Sequence, residues 1–276
     1  MMVNIDFLTR QYFYFDEPVP YKLKNNIIYI SPVSLKDSEV FISSVDILAI
    51  DKNSLPDVSI IQMSYLEFII RVLFSNKDTR EQYIQKLVNV LILCLGLKSP
   101  SFTWENNAPY IIDTISGIKI SPKQFDEIKK IIMYQNFIHY DDEYINPELK
   151  KAMDEVDKLK NQNYESPSTE RKMAIITAHT GLPKREQQQM TYRSYSLLFE
   201  EVCGEVEFTT VRPIALLCGG KNEIDHWIFK KHKNKFDGYT KSIDAYTQSM
   251  GGAKVVKSSD TSLGDSYIQQ INNFNQ

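Results

Sequence analysis

The chain has 276 residues, of which 42% are hydrophobic and 24% charged, so it can bury a core in one large domain or two smaller ones. Its formal net charge of −3 lacks the basic excess that nucleic-acid-binding domains usually carry. The three cysteines, Cys94, Cys203 and Cys218, are too few and too scattered for a disulfide framework or a zinc site. We therefore expect reduced thiols in a cytoplasmic protein.

The N-terminus and the apolar stretches predict no targeting or membrane segment. Residues 1–6 lack the basic start and apolar run of a signal peptide. The most apolar stretch, residues 87–97, is about half the twenty residues that a bilayer requires. We therefore expect no membrane partner.

Two runs with strand character open the chain. The aromatic residues 12–15 and the aliphatic residues 27–30 flank turn-forming residues, which predicts a hairpin or a small sheet. Residues 34–50 then carry apolar side chains at helical spacing, and Ser34 is a residue type that caps helices. The sequence here predicts a hairpin followed by a helix.

Two strongly apolar segments predict the centre of the core. Residues 58–75 and 79–96 each carry an apolar face at helical spacing, and Gly96 is a residue type that ends helices. The two faces match as an antiparallel helical hairpin. Residues 101–120 revert to strand character, with an Asn-Asn turn between the first two of three short strands.

Two further helices are predicted before a polar break. Ser121, Pro122 and Gln124 form a capping box with a proline in the first turn, which starts a helix that ends near residue 135. A highly charged helix follows over residues 146–160, and its few apolar residues leave one face in solvent.

The predicted fold class is α+β and mainly helical. A mixed domain with a small β-sheet and a helical hairpin is expected over residues 1–160. The polar residues 161–168 are the predicted linker, because they contain a proline and few apolar side chains. A small helical module is expected over residues 169–240, and residues 241–276 are expected to form a mobile tail that is flexible or ordered by a partner.

The predicted module begins with three helices over residues 169–179, 183–190 and 191–202, and residues 205–211 are predicted to be extended. A helix, a glycine turn and a second helix are also the order of a DNA-binding helix-turn-helix. The second helix carries three glutamines and one acid beside only two basic residues. A structural bundle is therefore favoured over DNA reading.

The sequence contains no recognisable catalytic constellation. Phosphate-binding glycine loops, the nucleophile elbow and the His-Glu-x-x-His motif are absent. The four histidines, His139, His179, His226 and His232, lie on different predicted elements without a carboxylate or thiolate at metal-ligand spacing. We therefore predict no enzyme activity, no cofactor and no metal.

Four tyrosines are candidate partner-binding residues: Tyr12 and Tyr14 in the first aromatic run, and Tyr192 and Tyr195 in the module. Tyrosine buries a ring while its hydroxyl stays polar, and it is enriched at protein interfaces. The alternative is that these rings fill half-buried positions of the fold.

Trp227, Lys230 and Lys231 form a second candidate partner-binding segment. An aromatic ring beside lysines suits phosphates or acidic protein surfaces. The alternative is a solvated helix end, where lysine is favoured by the helix dipole. The sequence does not separate the two.

Several short motifs over residues 10–235 carry a family resemblance. They are the aromatic and acidic run at 12–21, Ile-Ser-Pro-Val at 30–33, the segment at 48–57, Met-Ser-Tyr-Leu at 63–66, Thr-Gly-Leu at 180–182, Met-Thr-Tyr at 190–192, and Asp-His-Trp-Ile at 225–228 with the lysines after it. The first four resemble tail-morphogenesis proteins from phages of Gram-positive bacteria. The last three are similar to the small helical module of phage tail assembly chaperones.

The resemblance implies a chaperone that binds the long, hydrophobic, helical tape-measure protein and keeps it soluble while the tail tube polymerises around it. It implies phage tail proteins as partners, in the host cell cytoplasm, with no cofactor and no covalent chemistry. Self-association is compatible with this function, and nucleic acid is not expected. The N-terminal domain exceeds the size of many such chaperones, which leaves a virion structural component of the tail, neck or baseplate as an alternative. A helix-turn-helix DNA-binding regulator is the second alternative.

Overall fold

The computed structural model describes residues 3–24, 26–52, 55, 57–161, 166–218 and 228. These residues form a mainly helical α+β fold with two small antiparallel sheets, which confirms the predicted fold class. The predicted tail at 241–276 and part of the predicted linker at 161–168 lie outside the described residues.

The N-terminal segment is helical where a strand was predicted. Helix α1 spans Ile5–Gln11, and a 3₁₀ turn follows over Phe13–Phe15. Phe13 is buried, whereas Tyr14 and Phe15 are each 66% exposed. The prediction of a strand at 12–15 was wrong, because aromatic residues favour strands on average but this run buries only one of its four rings rather than alternate rings.

The first sheet is the predicted hairpin with a shifted first strand. Strand β1 spans Val19–Lys22 and strand β2 spans Ile27–Ile30, and the two pair antiparallel. Val19 and Ile30 lie opposite each other and both are buried. The hairpin therefore covers the main core with one face.

The second sheet is the predicted three-stranded meander. Its strands are β3 at Pro100–Glu105, β4 at Ala108–Asp113 and β5 at Lys119–Ile120. Asn106 and Asn107 connect the first two strands with φ angles of 48° and 63°. Asparagine tolerates this left-handed conformation better than most residues do, which explains why it occupies the turn. The predicted turn between the first two strands is therefore confirmed.

Five further helices follow in residues 38–136 of the described chain. They are α2 at Ser38–Ala49, α3 at Val58–Gln62, α4 at Tyr65–Arg71, α5 at Arg80–Leu95 and α6 at Pro122–Asn136. The predicted helix at 58–75 is broken, because Ser64 accepts a hydrogen bond from the Glu67 amide and starts a new helix. The main helix partner of α5 is α2, whereas α4 packs chiefly on α6. The two segments of the predicted helical hairpin therefore share one core but take different main partners.

Four helices follow in the C-terminal half of the described chain: α7 at Pro147–Asn161, α8 at Thr169–Thr180, α9 at Lys184–Gln187 and α10 at Tyr192–Leu217. The prediction that residues 205–211 are extended was wrong, because α10 continues through them. The Thr209 and Thr210 hydroxyls donate to carbonyls one turn earlier, which accommodates these β-branched residues in a helix.

A second, smaller core lies inside the helical module and includes a residue from the N-terminal part. Leu35 packs with Met173, Ile176 and Tyr195. The predicted domain division stays a prediction, and contacts run from residues 33–36 across it to the module. Leu35 therefore places a side chain from the N-terminal part in the core of the module.

We expect Leu35→Ala to lower the free energy of unfolding by about 2–4 kcal/mol, because it removes a buried side chain that two helices of the module enclose. Leu35 is 5% exposed, whereas Val40 nearby on α2 is 50% exposed. Val40→Ala is the matched control and should change stability by less than about 1 kcal/mol. Urea denaturation followed by circular dichroism measures both, and equal effects would contradict the burial of Leu35 in the module core.

Candidate functional site

An apolar groove of about 710 Å³ lies between the main core and the helical module. Its apolar lining includes Ile42, Val45 and Ala49 of α2, Met133 and Phe137 at the end of α6, and Tyr192, Tyr195 and Phe199 of α10. The residues from α2 and the residues from α10 each follow the spacing i, i+3, i+7, which places them on one stripe of their helix. Two apolar stripes therefore line the same groove.

The aromatic rings of the groove are held in place by neighbouring groups. The Phe137 ring stacks on Phe41 at 5.8 Å between centroids and meets the Tyr192 ring edge-on at 5.9 Å. The Tyr195 hydroxyl donates to the Thr169 carbonyl at 3.3 Å. Such contacts limit rotation of the rings, so the walls are largely formed before anything binds.

The polar residues of the groove carry both signs of charge. Glu200 and His139 pair at 2.8 Å between carboxylate oxygen and ring nitrogen. The Lys172 ammonium lies 5.4 Å from the centroid of the Phe199 ring. An apolar centre with mixed charges beside it is the usual composition of a protein-binding surface.

The start of α10 is fixed to the N-terminal segment by side-chain hydrogen bonds. Asp16 accepts from the Thr191 hydroxyl at 2.6 Å and from the Ser194 hydroxyl at 2.7 Å. Arg193 donates to the Tyr134 carbonyl at the end of α6 at 2.9 Å. These bonds set where the α10 wall stands relative to α6, and therefore help to set the groove.

The structure brings together two of the predicted partner-binding residues. Tyr192 and Tyr195 both line the groove, although Tyr195 is only 3% exposed and contributes to the wall from within the core. Tyr12 is half-buried against the main core, and Tyr14 is exposed on the 3₁₀ turn away from the groove lining. The roles assigned to these side chains stay predictions.

Trp227, Lys230 and Lys231 lie outside the described residues. The groove residues of α2 and α6 were not predicted from the sequence. A sequence signal was present, because the apolar residues of α2 include Val40, Ile42 and Ala49 beside its buried residues and so extend over more than one face of the helix.

The predicted order of helix, turn and helix is present, but the second helix, α9, is a single helical turn. Helix α9 has four residues, and Gln187 at its end is fully buried. The Gln187 amide donates to the Met173 and Leu182 carbonyls at 3.1 and 2.9 Å. DNA recognition usually uses an exposed helix that lies along the major groove, so this geometry favours the structural bundle.

A second cleft of about 300 Å³ is lined by charged side chains and tyrosines. Lys52 donates to two main-chain carbonyls, and Lys150 pairs with Asp51 at 3.2 Å. The Lys129 ammonium lies 3.6 Å from the centroid of the Tyr65 ring. Burial lowers the pKa of Lys129 to about 8, although nearby carboxylates oppose this. Lys52 and Lys150 therefore hold neighbouring segments of the chain together through these contacts.

The described ranges contain no group of three or more His, Cys, Asp or Glu side chains placed to hold a metal ion. Over the same part of the chain, no helix has both the length and the apolar character needed to cross a bilayer. No family model, curated protein or solved structure matches this chain.

We expect Lys129→Met to change how stability depends on pH. The folded-state pKa of Lys129, about 8, lies below the ordinary value of about 10.4, so the unfolded chain binds more protons between these two values. The wild-type free energy of unfolding should therefore rise relative to that of Lys129→Met as pH increases from about 8 to about 10.

Urea denaturation at pH 7, 8.5 and 10 measures this difference. The exposed Lys77 provides the matched control, since Lys77→Met removes a lysine from the surface. Wild-type and Lys77→Met curves should run parallel. Parallel curves for wild type and Lys129→Met would show that the half-buried amine has no such effect.

Proposed function

We propose that this chain is a non-enzymatic phage tail assembly chaperone, and that its groove binds apolar helical segments of the tape-measure protein. One observation carries the proposal: α2 and α10 line the groove with apolar stripes at i, i+3, i+7. Grooves of this kind accept an amphipathic helix whose anchor residues have the same spacing. The partner expected from the motifs is a long, hydrophobic, helical protein.

The small number of anchor positions in the groove supports reversible binding. Burying one large aliphatic side chain contributes about 1.5–3 kcal/mol, so three anchors contribute roughly 5–9 kcal/mol. Lost translational and rotational freedom costs about 4 kcal/mol or more. A single segment is therefore held weakly, and many weak contacts along a long partner keep it soluble without retaining it when the tube assembles.

A soluble chaperone acts in the host cell cytoplasm and requires no cofactor. Phage tail proteins are its partners under this proposal. The Glu200, His139 and Lys172 side chains of the groove suit the polar face of an amphipathic helix. Nucleic acid and membranes have no part in the proposed function.

We expect Ile42→Asp to abolish protection of the tape-measure protein. A carboxylate in the α2 wall would be buried against the apolar face of the bound helix, which costs several kcal/mol. Val40→Asp is the matched control, because Val40 is exposed on the same helix but does not line the groove. Co-expression of each variant with the tape-measure protein, followed by measurement of its soluble fraction, tests the expectation.

The outcomes separate the function from the site. An unchanged soluble fraction with the wild-type chain would overturn the chaperone proposal. Wild-type protection that Ile42→Asp and Val40→Asp reduce equally would place binding elsewhere on the chain. Circular dichroism of both variants confirms that the fold is retained.

A virion structural component is the second candidate, and exposed apolar side chains favour it. Ile27 and Tyr29 lie on one face of β2 and are 59% and 60% exposed, and Phe15 is 66% exposed. Exposed apolar patches often mark permanent contacts. Mass spectrometry of purified particles distinguishes the candidates, since a component is present in stoichiometric amounts and a chaperone is absent.

A further inference from the structure

The second cleft separates cations from carboxylates. Lys52, Tyr65 and Lys129 line its buried side, where Tyr65 is buried and both lysines are half-buried. The acidic residues at 141–143 line its exposed side. Charges interact more strongly where water is excluded, so the two lysines dominate the electrostatic field at the buried side.

Lys129 is a half-buried cation without a counterion in contact. Its ammonium lies 3.6 Å from the centroid of the Tyr65 ring, and within the described residues it forms no ion pair and no hydrogen bond. Burial lowers the pKa of Lys129 to about 8, although Asp126 and other carboxylates attract its charge. A buried charge that lacks a partner is costly, so a bound anion would stabilise this side chain.

Two carboxylates of the lining already have cation partners. Asp51 pairs with Lys150 at 3.2 Å, and Asp142 pairs with Lys130 at 2.7 Å. Each pair joins its carboxylate to a lysine other than Lys129. Moving either carboxylate to Lys129 would exchange one ion pair for another, so neither of them is available as its counterion.

Lys52 adds a second ammonium group to the buried side. It donates to the Ile61 carbonyl at 2.9 Å and to the Met63 carbonyl. These acceptors are neutral, so the bonds hold the side chain in place without cancelling its charge. The charge of Lys52 also contributes to the lowered pKa of Lys129, so the two ammonium groups lie close enough to repel each other. An anion between them would relieve that repulsion.

We propose that the second cleft binds the carboxylate of a small aromatic molecule through the Lys129 and Lys52 ammonium groups. A volume of about 300 Å³ is at the lower end of the range for small-molecule pockets. Tyr140 and Tyr144 also line the cleft and offer ring surface to an aromatic ligand. The acidic residues at 141–143 disfavour a dianion such as phosphate more than a monoanion. The inference does not depend on the proposed chaperone function.

Nuclear magnetic resonance of the ¹⁵N-labelled full-length chain tests the proposal. Benzoate is titrated at pH 7 and constant ionic strength, and benzamide is the matched probe, because it has the same ring and nearly the same shape without the charge. Benzoate should bind with a Kd on the order of millimolar. Benzamide should bind about tenfold more weakly or worse, because it forms no charge-assisted hydrogen bond with an ammonium group.

The amide resonances that shift identify the site in the wild-type chain. Benzoate should shift resonances at 50–52, 65, 129 and 140–145. Ala49 and Tyr140 line both the cleft and the groove, so shifts at these two residues alone decide nothing and are not counted. Shifts confined to Ile42, Phe199 and their neighbours in the groove would overturn the proposal. Equal affinities for benzoate and benzamide, or tighter binding of inorganic phosphate, would also overturn it.

A pair of variants on α6 assigns the binding to one ammonium group. Lys129→Met should weaken benzoate binding at least tenfold. Lys123→Met is the control, because Lys123 is exposed on the same helix and does not line the cleft, and it should leave the affinity unchanged. Equal affinities of the two variants contradict the role of Lys129. The shift map of the wild-type chain decides the question even if Lys129→Met fails to fold.

Discussion

A main-chain pairing between residues 33–35 and residues 190–192 holds the two halves of the groove together. The Val33 carbonyl accepts from the Tyr192 amide at 2.8 Å, and the Leu35 amide donates to the Met190 carbonyl at 2.8 Å. Buried main-chain groups have to find such partners, because an unpaired one costs about as much as a lost hydrogen bond. Together with the side-chain bonds at the start of α10, this pairing sets the separation of α2 and α10, so that their apolar stripes line one common space.

The same crossing also fixes the end of α6. The Val33 amide donates to the side-chain oxygen of Asn136 at 2.8 Å, and the Asn136 amide group donates in turn to the Ile132 carbonyl at 2.9 Å. Asn136 is 1% exposed, so both bonds are protected from water. Buried polar contacts therefore join the segment after β2, the last turn of α6 and the first turn of α10. Such contacts require specific distances and directions between their atoms, whereas apolar contacts alone do not.

Local chemistry predicted most helices and turns, and non-local pairing accounts for what it missed. The capping box of Ser121 and Gln124 and the left-handed Gly96 both have the predicted roles. The strand predicted at 12–15 failed because average propensity does not show which ring of a run will be buried. Part of the groove lining was predictable, because Tyr192 and Tyr195 stood out by residue type. The wall formed by α2 was not, because it depends on a contact between residues separated by most of the chain, which no local sequence pattern encodes.

An open apolar groove exposes a protein to self-aggregation, since a permanently open apolar surface also attracts other copies. Here the apolar stripes line a groove rather than a flat face, which limits the contact that a flat surface of another chain can make with both. The Glu200 and His139 pair places charge beside them, which further favours a slender amphipathic helix over an extended apolar face.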